Sequence, residues 1–172
     1  MTEVAFRRAT VDEIETAAEI LEDAVRWADA RGMPSWDAGV FSDPGAWGRQ
    51  RLVEAFEADG LYLATVDGEA VATFSLLPED PLLWPDALDD ALYLHRFAVR
   101  EGNSGSGVGS AALAWMEEEA RRVGRRFIRL DTHRDNRGIR AYYERAGFEY
   151  RGDAAVQDIP LALFELDLAR RE

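Results

Sequence analysis

The chain has 172 residues, of which 47% are hydrophobic and 31% charged, with a net charge of −13 and no cysteine. This length fits one domain with a sizeable core and is short for two; the missing cysteines exclude disulfides, thiolate nucleophiles and cysteine-built metal sites. So acidic a surface argues against nucleic acid as a partner; with no apolar run of roughly 18 residues to span a membrane and no signal-peptide core at the start, the expectation is a cytoplasmic protein folded as one domain over 1–172.

Val4–Arg8 alternates and predicts a first strand. Thr10 opens a helix, with Glu13 three residues on as a capping box. Val11, Ile14, Ala18, Leu21, Val25 and Ala28 keep helical spacing until Gly32 and Pro34 stop it. A second helix follows Ser42-Asp43-Pro44 and turns Trp47, Leu52, Val53 and Phe56 inward. Leu61–Val66 and Glu69–Leu77 are strands joined by Asp67-Gly68, a strong hairpin signal. Residues 78–90 form a loop rich in Pro and Asp, and Ala91–Val99 is a strand. Glycines over 102–109 lead into a long helix, in which Val108, Ala112, Trp115 and Glu119, and Leu113, Met116, Ala120 and Val123, repeat at helical spacing. A strand over 127–132 follows, then a helix over 136–146 closed by Gly147 as a left-handed cap, then strands near 148–152 and 162–168. Antiparallel hairpins followed by a βαβ unit predict a mixed α/β sheet with helices on its faces.

Between the third pair of elements stands Ser104-Gly105-Ser106-Gly107-Val108-Gly109-Ser110. Glycines let a backbone approach a ligand closely. Their N–H groups, the unpaired N–H groups of a first helical turn and the positive end of the helix dipole together make a cradle for phosphate. In a chain at −13, neutral backbone donors suit the holding of a polyanion. One rival reading is a flexible surface loop. Another is a dinucleotide fold, because Gly107-x-Gly109-x-x-Ala112 matches the relaxed Rossmann fingerprint and Asp131 stands where a ribose-binding acid would. Against the second, residues 100–106 separate the strand from these glycines, and the 40 residues after Thr132 are too few for the remaining βα units.

The segment Asn136-Arg-Gly-Ile-Arg-Ala-Tyr-Tyr-Glu-Arg-Ala-Gly-Phe148 decides between these readings. Here the chain resembles the GNAT superfamily of N-acetyltransferases. Their coenzyme A motif reads Gln/Arg-x-x-Gly-x-Gly/Ala at a strand-to-helix turn, and their later motif reads roughly Asn-x-x-Ala-x-x-x-Tyr-x-x-x-Gly-Phe. Gly107 and Gly109 match the first, with Ser104 where Gln or Arg is usual; Asn136, Tyr143, Gly147 and Phe148 match the second. The resemblance covers residues 92–148 and implies a GNAT-like acyl-CoA N-acyltransferase fold, mostly antiparallel in its N-terminal half with a βαβ cofactor unit. It implies an enzyme that moves the acetyl group of acetyl-CoA to a primary amine by direct attack in a ternary complex. It also implies roles. Residues Ser104, Gly105, Ser106, Gly107, Val108, Gly109 and Ser110 hold the pyrophosphate. Phe97, Ala98 and Val99 pair with the pantetheine arm, and the N–H of Phe97 or Ala98 polarises the acetyl carbonyl. Asn136 contacts the arm, and Tyr143 lies near the sulfur and donates to the departing thiolate. Ser104 hints at the alternative of a non-catalytic acyl-CoA-binding domain, a sensor or a vestige.

The acceptor amine must lose a proton. His95, beside the acetyl site, titrates near neutrality and is the first candidate base. Asp131, at a strand's C-terminal end, is the second; a water chain is the third. A hydrogen-bonded structural histidine and a turn-capping aspartate are the bland readings of these two. His133 is expected in a solvated loop, and two histidines 38 apart predict no metal site. Trp27, Met33, Trp36, Phe41 and Trp84 either wall an acceptor pocket or belong to core or interface. Glu79, Asp80, Asp86, Asp89 and Asp90 either draw in a cationic amine or are simply solvated. The fold does not choose the amine, which is a small molecule or a peptide, and a homodimer is the commonest assembly on general grounds.

Overall fold

The computed structural model describes residues 3–171. Its elements are β1 (Val4–Arg8), α1 (Ile14–Asp29), α2 (Trp47–Glu57), β2 (Leu61–Val66), β3 (Glu69–Leu77), β4 (Ala91–Val99), α3 (Val108–Arg122), β5 (Phe127–His133), α4 (Arg137–Arg145), β6 (Glu149–Val156) and β7 (Ile159–Asp167). This is the mixed α/β order expected from the sequence. The chain divides into two compact units, one comprising residues up to Leu76 with Arg96–Trp115, the other Leu77–His95 with the chain from Met116 onward. β4 and α3 each contribute a part to both. Among the described residues no helix is long and apolar enough to cross a membrane.

In the first unit β1, β2 and β3 form an antiparallel meander, with Val4 opposite Val66 and Leu61 opposite Ser75. Asp67 and Gly68 take φ values of 51° and 84°, the left-handed pair that a two-residue hairpin turn requires. α1 follows a single 3₁₀ turn over Val11–Glu13, in which the Thr10 N–H donates to the Glu13 carboxylate at 2.8 Å. Ile20, Leu21 and Val25 of α1 are buried. Between them Glu22 is buried too, and accepts the backbone N–H groups of Gly39 (3.1 Å), Phe41 (2.7 Å) and Ser42 (3.1 Å). That carboxylate ties segment 39–42 to α1, where Phe41 is fully buried and meets Trp36 edge-on at 5.1 Å. α2 closes on the same segment through Gly48, where a Cβ would stand 2.8 Å from the Val40 carbonyl and 3.0 Å from the Phe41 ring. The buried stripe of α2 is therefore Gly48, Leu52 and Ala55. Trp47 was expected inward, but one residue is a 100° step around a helix, and off this stripe the residue is 47% exposed. Trp115 of α3 joins Phe6, Tyr62 and Phe74 in an aromatic cluster at 5.5, 5.1 and 5.8 Å.

In the second unit the strand order is β4-β5-β7-β6. β4 and β5 run parallel from Ala91 opposite Phe127 to Leu94 opposite Leu130; β7 is antiparallel to both its neighbours. Ile128, Phe164 and Leu166 are buried on this sheet. β6 and β7 are longer than the sequence suggested, because their turn falls at Gln157-Asp158, with Gln157 at φ 53°; a glutamine does not signal a left-handed position. Gly147, at φ 97°, is the left-handed cap expected after α4. Arg129 crosses the interior of this unit. It reaches Glu165 at 2.7 Å, Asp90 at 3.0 Å and the Tyr93 hydroxyl at 3.1 Å, and lies 5.1 Å from the Trp84 ring. Burial alone would lower its pKa; the bonds to Glu165 and Tyr93 outweigh that and raise it. Arg129 thereby anchors the far half of the 78–90 loop.

Candidate active site

β4 leads towards the glycine loop through a kink. Its pairing with β5 ends at Leu94 and Leu130, and Arg96 takes φ 50°. For a residue with a Cβ that conformation costs about 1–2 kcal/mol. Phe97, Ala98 and Val99 lie beyond the kink; the Phe97 ring meets Phe74 edge-on at 6.0 Å, and Ala98 is buried. Nothing in an arginine announces such a kink, and the sequence reading missed it.

The loop is clamped at both ends. Val99 before it and Val108 after it pack into one cluster with Ala64, Val71 and Ala72 of β2 and β3. Arg100 adds three bonds: its N–H to the Val71 carbonyl at 2.8 Å, its Nε to the Ala70 carbonyl at 3.0 Å, and its guanidinium to Asp23 at 2.9 Å. Sequence reasoning did not single out Arg100. Past it, Ser104 N–H donates to Glu101 and Ser106 N–H to Asn103, at 3.0 and 3.2 Å. Gly105 and Gly107 then take φ values of 75° and 90°, with no atom within 4 Å of where a Cβ would stand. Gly109 and Ser110 fall in the first turn of α3, whose N–H groups have no partner inside the helix. Left-handed glycines facing open space at a helix N-terminus form a cradle of donors that side chains would fill, which suits a phosphate group.

In the second unit, Asn136 is the N-cap of α4, its Oδ1 accepting the Ile139 N–H at 3.1 Å. Tyr143, two turns on, is 5% exposed and sits edge-on to Tyr142 at 5.2 Å and Phe148 at 5.4 Å. Burial pushes its phenol far above the usual range, with smaller contributions from Tyr142 and Asp131. Tyr143 is therefore a neutral donor that keeps its proton, and cannot be a base. Burial raises Tyr142 as well.

His95, Asp131 and Asp80 come together in the same unit. Asp80 Oδ2 stands 3.5 Å from His95 Nε2, and Asp131 Oδ1 stands 3.8 Å from Nδ1. Asp131 lies within β5, opposite Leu163, rather than in the turn that follows. That turn belongs to His133, the last residue of β5 and not a loop residue as expected; its Nδ1 accepts the Asp135 N–H at 3.2 Å. The trio offers one ligand atom each within 4.8 Å of one another, and is the group among the described residues that could hold a metal ion. A carboxylate near each ring nitrogen also suits an imidazolium, which donates from both. Asp80 appeared in the sequence only as one of several loop acids. Of the others, Asp89 pairs with Arg125 and Asp90 with Arg129.

A model of the acetyltransferase (GNAT) family matches residues 30–148, which include both motifs. The chain belongs to this family. The GNAT assignment makes it an acyltransferase. The chain is 28% identical over 149 residues to the "uncharacterized N-acetyltransferase YesJ" of Bacillus subtilis (strain 168), covering 84% of this chain and 81% of that protein. A GNAT acetyltransferase from Listeria monocytogenes 4b F2365 shares the fold with a TM-score of 0.76 at 22% identity, over 96% of this chain and 95% of that one. The PaiA N-acetyltransferase of Thermoplasma acidophilum, solved in complex with coenzyme A, gives 0.69 at 16% identity, over 96% and 99%.

Proposed function

We propose that this GNAT protein moves the acetyl group of acetyl-CoA directly to a primary amine in a ternary complex, in the cytoplasm, as a single N-acetyltransferase domain over 1–172. The observation that carries the reading is the glycine loop, with Gly105 and Gly107 left-handed at the start of α3 and both ends clamped. Its donors fit a pyrophosphate without a long side chain at Ser104, because backbone N–H groups and the helix dipole do the holding. The coenzyme A bound by PaiA supports this choice of acyl carrier. The family match at 30–148 includes residues of both units and supports one functional domain.

Bound acetyl-CoA supplies an activated thioester carbonyl. The chain's residues do the rest. The N–H of Phe97 or Ala98 donates to the carbonyl oxygen as charge develops there, and the Asn136 amide orients the arm. His95 or Asp131 accepts the amine proton. Tyr143 holds a proton at Oη for the departing sulfur, and its raised pKa keeps it loaded at every working pH. A chain with no cysteine has no thiol to carry the acetyl group, which supports direct transfer.

Tyr143→Phe keeps the ring and removes the proton. With coenzyme A thiol release as the readout across a panel of amines, kcat is expected to fall about 100-fold, with both KM values and the unfolding midpoint nearly unchanged. An unchanged kcat removes the acid role from Tyr143.

A further inference from the structure

Asp80 is held more firmly than a loop aspartate needs to be. Its Oδ1 accepts the Leu83 N–H at 3.2 Å, and its carbonyl accepts the Trp84 N–H at 2.9 Å. One turn later Trp84 packs against Arg129. The turn commits one carboxylate oxygen and aims the other, Oδ2, at His95 Nε2, 3.5 Å away. Both side chains are largely withdrawn from water, at 11% and 17% exposure. On the opposite side of the ring, Asp131 of β5 is farther, at 3.8 Å from Nδ1. A neutral imidazole has one donor nitrogen and one acceptor nitrogen, and the better-held partner decides which is which.

We propose that Asp80 is a positioning residue for His95: it keeps the ring proton on Nε2 and leaves Nδ1, on the Asp131 side, to take the proton of the acceptor amine. The inference rests on the acetyl-transfer reading and sharpens it. In the step, one N–H bond of the amine breaks and an Nδ1–H bond forms. The electron pair of the broken bond stays on the amine nitrogen, where it serves as the nucleophile. Nε2 keeps its proton, and the imidazolium lies between Asp80 from the loop and Asp131 from β5. A 3.5 Å separation is long for a hydrogen bond, as catalytic pairs often are before substrate arrives.

The test is a pH titration of the imidazole nitrogens by ¹⁵N NMR on the protein without substrate, beside pH profiles of kcat/KM. Only two histidines are present, so His95→Gln assigns the signals. The neutral His95 ring is expected as the Nε2–H tautomer. Asp80→Asn keeps an oxygen for the Leu83 turn and removes the charge. It is expected to move the His95 titration to lower pH by about half a unit or more, leave that of His133 in place, and move the acid limb of kcat/KM by the same amount. A purely structural Asp80 would lower the unfolding midpoint and move neither curve. An Nδ1–H tautomer, or a His95 titration unmoved by Asp80→Asn, overturns the proposal; so does an acid limb that stays while the titration moves. If no amine is acetylated, the acetyl-transfer reading fails, and the spectra still decide the Asp80–His95 pair.

Discussion

Replacing Gly105 and Gly107 together by valine is expected to raise the KM for acetyl-CoA about 100-fold while shifting the unfolding midpoint by no more than a few degrees. The two glycines stand at φ 75° and 90°. A left-handed conformation costs a residue with a Cβ about 1–2 kcal/mol, and a β-branched one tolerates it least. Valine relieves that strain by rotating to negative φ, which turns the loop N–H groups away from the direction they share. With about 1.4 kcal/mol per factor of ten, two strained positions account for the hundredfold loss. The fold should be spared, because no atom lies within 4 Å of either Cβ position and the loop is anchored from outside by Val99, Val108 and Arg100. Initial rates at saturating amine and a thermal scan are the measurements. An unchanged KM would take the acyl carrier away from this loop.

Glu22→Ala is expected to lower the free energy of unfolding by about 3–5 kcal/mol, several times the effect of an ordinary surface change. Three backbone N–H groups, those of Gly39, Phe41 and Ser42, donate to one buried carboxylate. Alanine leaves all three without an acceptor beneath a buried Phe41, and stranded donors cost about 1–3 kcal/mol each, less than additively where the segment can shift toward water. For a chain of this size the loss corresponds to a midpoint roughly 10 °C lower. Glu22→Gln keeps one acceptor oxygen and should cost less than half as much. Urea titration of both variants reads the difference. A Glu22→Ala variant within about 1 kcal/mol of the parent would mean that the packing of Phe41 alone holds segment 39–42.

The contrast between these two sites marks what was legible in the sequence. Gly105, Gly107, Asp67-Gly68 and Gly147 could be read because left-handed backbone needs residues that tolerate it, and their φ values follow. The strands β1 to β4 matched because their alternation and the hairpin turn are local. Arg96 and Gln157 take the same backbone region without the residue type that announces it, so the kink in β4 and the last hairpin turn were missed. Glu22 was silent for another reason. In the sequence it is one more acid on an amphipathic helix, and its partners lie 17 to 20 residues away. Asp80 is similar: its meaning depends on His95, 15 residues on, and on Asp131 in another strand. Trp47 went wrong because hydrophobicity was allowed to outvote helical phase, and Gly48 holds the buried position beside it.

Thermal unfolding measured with acetyl-CoA, coenzyme A and NADPH, each added alone, tests the central claim most directly. A ligand that binds only the folded chain, at 100 times its dissociation constant, stabilises it by about 2.7 kcal/mol, a rise of roughly 5–10 °C here. The predicted result is such a rise with acetyl-CoA and with coenzyme A and none with NADPH. No rise with either coenzyme A form, or a rise with NADPH in their place, would contradict the account.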